Sequence, residues 1–178
     1  MKLSENRPLA CGILAVVIAG VLFIGGGNAI KSKAMAVESV FYSASESISA
    51  ELKELSDNAV VLSSIAANAR GVNQDYVAAT NEAVDALRAA DSVSAKADAS
   101  HDLTAAVENL YSNVSNLSLS EKDAEDFKYR YRNYESALLR ISHDGYNDDA
   151  AAFNREKSGF PAGLISAIRG IKDAVLFN

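Results

Sequence analysis

Residues 37–71 read VESVFYSASESISAELKELSDNAVVLSSIAANARG, and their apolar spacing decides the fold class. Val37, Phe41, Ala44, Ile48, Leu52, Leu55, Ala59, Leu62, Ala66 and Ala69 follow one another at steps of three and four. A repeat of roughly 3.5 residues is the seam of a helix packed lengthwise against partners. Gly71 is placed to end that helix as a C-cap, with Arg70 complementing the helix dipole.

Reading outward toward the C-terminus, the same rhythm returns. Asn73 suits the N-cap of a shorter helix with Tyr76, Ala79, Ala83, Ala86 and Ala90 on its inner face. Residues 91–100 (DSVSAKADAS) carry little apolar signal and read as a connection, though they are compatible with helix. A third helix presents Leu103, Ala106, Leu110, Val114 and Leu117. Ser120 followed by Asp123 forms a variant capping box that opens a fourth, with Phe127, Tyr131, Tyr134, Leu138 and Ile141 inward. That helix is compatible with continuation to Lys157, and Gly159-Phe160-Pro161 stops it. At 1.5 Å per residue the first helix (34–69) and the fourth (121–157) would each span roughly 55 Å, and the middle two about half that. The expected class is all-α. The expected architecture is an elongated antiparallel up-down bundle of two long and two shorter helices.

Toward the N-terminus the reading changes. No charged residue falls between Pro8 and Ile30, and residues 9–27 (LACGILAVVIAGVLFIGGG) are apolar or glycine throughout. About 20 such residues cross a hydrocarbon core. A cleaved signal peptide is the rival reading. Its apolar region usually runs about 7–15 residues, and this run is longer, although Gly25-Gly26-Gly27 resembles a cleavage site. An uncleaved transmembrane anchor is therefore expected. Lys2 and Arg7 precede it and Lys31 and Lys33 follow it, so the positive-inside rule leaves the side of the bundle undetermined. The expected organisation is a tail (1–7), a transmembrane helix (8–30), a helical bundle (31–158) and an amphipathic C-terminal tail (159–178). In that tail Leu164, Ile168, Ile171 and Val175 share one face, which would lie on lipid or on the bundle.

Composition narrows the chemistry. The chain of 178 residues has a net charge of −6, and residues 34–178 hold 13 Lys+Arg against 22 Asp+Glu. That balance argues against nucleic acid as a partner. Tyr129-Arg130-Tyr131-Arg132 alternates aromatic and basic residues, but on a helix Tyr131 and Tyr134 turn inward while the arginines point elsewhere. One cysteine, Cys11, excludes an intramolecular disulfide and CxxC metal sites. His101 and His143 stand on different helices, no catalytic or phosphate-binding motif occurs, and Asp144, Asp148 and Asp149 read as solvated charge. Neither a catalytic residue nor a cofactor or metal is expected, and a small-molecule ligand is disfavoured.

Tyr146-Asn147, Phe153-Asn154, Phe160-Pro161 and Leu164-Ile165, coming after an anchor and a long helix, resemble the LemA family. That resemblance implies a short N-terminal tail, one transmembrane helix, a helical bundle and a bacterial cytoplasmic membrane, with no defined reaction. The chain departs from the family pattern at residues 55–60 (LSDNAV) and at Tyr111-Ser112. Tyr146, Asn147, Phe153, Asn154, Phe160 and Pro161 are the candidate partner-facing or register-setting residues, since asparagines seven apart share a helix face. The expected function is a membrane-anchored scaffold whose partners are the lipid bilayer and a protein or second copy of the chain. The alternative is a membrane-tethered sensory or ligand-binding bundle.

Overall fold

The structure, a computed structural model, describes residues 7–43 and 47–177. Among the described residues every regular element is a helix: α1 (Arg7–Ser43), α2 (Ile48–Ala67), α3 (Gln74–Ala89), α4 (Val93–Val114), α5 (Glu121–Ser142), α6 (Gly145–Ser158) and α7 (Ala162–Arg169). The residues gather into two compact units, one holding 7–38 with 149–174 and the other 39–148 with 175–177.

Short polar side chains set the helix starts. Ser47, Asn73, Ser92 and Ser120 each accept a backbone N–H from the first turn of the helix that follows, satisfying a donor the helix itself cannot. Ser120 also donates its hydroxyl to Asp123 Oδ2 at 2.7 Å, the side-chain form of the expected capping box.

Several expected boundaries are corrected. The helix read across 34–69 is two helices. The apolar helix runs on to Ser43, and Ser47 caps a new start at Ile48, while Ala44 of the stripe lies outside the described residues. The serine-rich segment explains the break, because serine hydroxyls offer the backbone local alternatives to helix. The helix read across 121–157 is also two. Asp144 Oδ1 accepts from Tyr146 N–H at 2.7 Å and restarts the chain as α6. Among the described residues α2–α6 run 14 to 22 residues each, well short of the roughly 55 Å expected of the two long helices. Residues 93–100, read as a connection, are the first turns of α4, with Val93, Ala97, Ala99 and Ser100 buried. On α3 the inward face is Val77, Thr80, Ala83, Val84 and Leu87, whereas Ala79 and Ala86 are exposed. The alanine stripe pointed one residue, or about 100°, away from the larger side chains that win the core.

In the second unit, α2 is the central element, packing on α5, α3 and α4, while α3 packs on α4. Phe41, Leu52, Leu55, Leu62, Leu103, Leu110, Phe127 and Ile141 fill the interior, and Leu138 is half-buried. Two buried hydroxyls of this unit are hydrogen-bonded: Ser63 donates to Asn81 Oδ1 at 2.7 Å across α2 and α3, and Thr80 donates to the Tyr76 carbonyl at 2.8 Å. Arg140 on α5 joins α2 by donating to the carboxylates of Glu51 and Glu54, each at 2.8 Å, and these bonds hold its proton more firmly than usual. Glu51 is buried, so Arg140→Met is expected to destabilise by about 1.5–3 kcal/mol, the range for a hydrogen bond to a charged group. Urea unfolding followed by circular dichroism, with exposed Arg132→Met as control, measures the difference.

Tyr134 is buried beside Thr104, its hydroxyl 3.3 Å from the threonine oxygen. Burial pushes its phenol up from 10.0 to about 12, opposed by the Thr104 hydrogen bond. Because the folded value is raised, the neutral phenol's contribution is complete below pH 10 and is lost as pH rises toward 12. A loss of about 2–3 kcal/mol across that window is expected. Tyr134→Phe should flatten that part of the stability–pH curve, and an unchanged slope contradicts the assignment.

Candidate functional site

The six residues singled out by the aromatic–Asn pattern fall on α6 and the turn after it, and α6 holds the chain's final segment. The helix α7 ends at Arg169 because Gly170 takes a left-handed conformation, φ +65°, and Ile171 N–H closes back on the Ser166 carbonyl at 3.0 Å. Residues 171–177 are therefore non-helical, which corrects the single amphipathic face drawn through Leu164, Ile168, Ile171 and Val175.

In the first unit, Asn154 grips this tail with both ends of its amide. Its Nδ2 donates to the Ala174 carbonyl at 2.9 Å, and its Oδ1 accepts from Ala174 N–H at 2.8 Å. Lys157 adds a bond to the Ile171 carbonyl at 3.0 Å and an ion pair with Asp173 at 2.6 Å. Phe153 is buried in this unit, while Phe160 and Pro161 are exposed. In the second unit, Asn147 repeats the clasp on Phe177, donating to its carbonyl and accepting its N–H, both at 2.8 Å. The Phe177 ring is buried, 5.3 Å from the Phe41 centroid and 6.1 Å from that of Tyr146, which is also buried.

Each asparagine thus acts as a one-residue strand edge, satisfying the donor and acceptor of a backbone that no helix or sheet would satisfy. Lys157, Phe177 and Phe41 were not among the candidate residues. Their signal in sequence was weak, since a buried aromatic near the end of a chain has no helical periodicity to mark it.

Beside these clasps the first unit brings α7 against α1. Ile165 Cδ1 lies 3.1 Å from where a Cβ on Gly26 would stand, and the Arg169 side chain occupies the space that a Cβ on Gly27 would need. Two of the three consecutive glycines therefore serve close helix approach. Arg169 also donates to Asn28 Oδ1 at 2.9 Å and sits over the Phe23 ring at 5.8 Å, and Lys33 pairs with Glu156.

The helix α1 is long and apolar enough to cross a membrane: from Cys11 to Ser43 its most apolar 18-residue window has a mean hydropathy of 2.3, and 6 % of that window is buried. A signal sequence meets the same criterion of length and composition. Among the described residues no group of three His, Cys, Asp or Glu is arranged to hold a metal ion. Asp144 is occupied in starting α6. Comparison with known proteins returned no matching family model, no curated relative and no similar solved structure.

Proposed function

We propose that the chain is a single-pass membrane protein of LemA type, anchored by α1 and working as a non-catalytic interaction scaffold. One observation carries the membrane reading: the apolar residues of α1 from Ile13 to Ile24 are largely uncovered by the rest of the protein. A core helix of a water-soluble protein with this composition would be mostly buried, and lipid is the solvent that makes such exposure favourable. The uncharged run is as long as a full span and longer than the usual apolar region of a signal peptide, which supports the anchor.

On this reading α2–α5 form an up-down antiparallel bundle, an arrangement supported by the short connections 68–73, 90–92 and 115–120. The scaffold role draws support from where the polar side chains go. Asn147, Asn154, Ser63, Thr80 and the Arg140–Glu51 pair are engaged in holding the fold, and residues 34–178 carry an excess of acidic charge. A protein partner with a basic face fits that charge, and nucleic acid does not.

The sensory alternative has one observation in its favour, an open groove of about 390 Å³ in the second unit lined by His101, Thr104, Glu135, Leu138 and Ser142 among others. Cross-linking in intact membranes followed by mass spectrometry tests the scaffold. Reproducible cross-links from Lys53, Lys96 or Lys128 to a protein neighbour or a second copy are expected. Absence of any cross-link, together with a rise in melting temperature on adding a small molecule, contradicts it in favour of the groove.

A further inference from the structure

Apart from α1, the first unit leaves one large apolar face uncovered. Phe160 is 91 % exposed, Leu164 59 % and Ile168 62 %. Leu164 and Ile168 stand four residues apart along one side of α7, and Phe160 is exposed in the turn that leads into it, while Ile165 and Ser166 are buried. Two branched aliphatic side chains on one side of a short helix, with an exposed aromatic in the turn before it, make an apolar surface that needs an occupant.

The position of α7 along α1 identifies it. Its contacts fall on Phe23, Gly26, Gly27 and Asn28, the last turns of the apolar run and the first polar residue after it. At 1.5 Å per residue Gly26 stands about 12 Å along the helix from Ile18, the middle of that run, close to half of a roughly 30 Å hydrocarbon core. Lys31 and Lys33, the latter paired with Glu156, follow on α1, Arg169 ends α7 and Lys172 lies just beyond it, so cations stand where headgroup phosphates would lie. Arg169 lays its guanidinium over Phe23 and its polar end toward Asn28, as an interfacial arginine does.

We infer that α7 is an interfacial membrane helix, with Phe160, Leu164 and Ile168 seated at the acyl–headgroup boundary of the leaflet in which the apolar run of α1 ends. The occupant of the apolar face is lipid. An eight-residue helix is too short to bind a bilayer by itself, but attachment to the anchor removes the cost of bringing it there, and each side chain then adds its own burial. The inference rests on the anchor reading.

The chain contains no Trp, so a single substitution gives an unambiguous optical reporter. Full-length Phe160→Trp, Leu164→Trp and Val17→Trp proteins are reconstituted in phosphatidylcholine–phosphatidylglycerol vesicles whose lipids carry bromine either near the glycerol or near the acyl terminus. Free N-acetyl-tryptophanamide outside the vesicles is the unquenched reference. Val17→Trp should be quenched most by the deep bromines, and Phe160→Trp and Leu164→Trp by the shallow ones. Quenching of Val17→Trp with neither α7 reporter quenched above the reference leaves the anchor standing and overturns the interfacial helix. A blue-shifted but unquenched α7 reporter means that a second copy covers the face, which overturns it equally. If Val17→Trp is also unquenched, the anchor and the interfacial helix fall together.

Discussion

Phe177→Ala is expected to destabilise the second unit by about 3–5 kcal/mol, the range for removing a buried phenylalanine. The ring is 3 % exposed and fills the space between Phe41 and Tyr146. Truncation leaves a cavity bounded by two aromatic rings that are themselves fixed in α1 and α6, so little collapse is available to recover the loss. The neighbouring Leu176→Ala is expected to change stability by no more than about 0.5–1 kcal/mol, because that side chain is exposed. Urea unfolding of the full chain in mild detergent, followed by circular dichroism, separates the two. Equal effects would mean that the tail is not packed where Asn147 holds it.

The second large effect concerns the asparagine clasps. Each amide exchanges two hydrogen bonds with one backbone residue, so Asn147→Ala or Asn154→Ala strands a donor and an acceptor together. A loss of about 1–3 kcal/mol is expected for either, and about 2–5 kcal/mol for the double variant. The more telling readout is local. Amide hydrogen exchange at Ala174 should quicken in Asn154→Ala and exchange at Phe177 in Asn147→Ala, each by more than any acceleration in α2–α5. Asp at either position keeps the acceptor and loses the donor, and should retain part of the protection. Uniform acceleration across α2–α5 would show that the asparagines support the bundle and not the tail.

These residues also show what the sequence made legible. The stripe from Phe41 through Ala66 was readable because packing on a helix repeats, and the same side chains are buried on both sides of the break at Ser43. The break itself was not readable from apolar spacing, since two helices in the same register carry one continuous seam. Capping residues mark such a break. Ser47 and Asp144 were present in the sequence, but serine and aspartate are too common on exposed helix faces to be decisive alone. The face of α3 was misread for a related reason: alanine is equally at home inside and outside a helix, so a stripe of alanines points weakly, while Val77, Val84 and Leu87 point strongly.

Asn147 and Asn154 stood out by spacing, yet their partner is a non-helical segment with no periodicity of its own. Gly170 was the available sign that α7 would end and release such a segment. The triple glycine at 25–27 carried a second meaning in the same way, since only the approach of Ile165 and Arg169 explains why two of the three lack a side chain.

The membrane anchor is the claim on which the rest depends, and one measurement addresses it most directly. Membranes containing the full chain are washed with alkaline carbonate, and the intact mass of the protein left in the pellet is determined. The account expects the complete chain of 18.8 kDa to remain with the lipid. Recovery of a shorter protein from the supernatant, cleaved near Gly25-Gly26-Gly27, would make α1 a signal sequence and contradict the anchor.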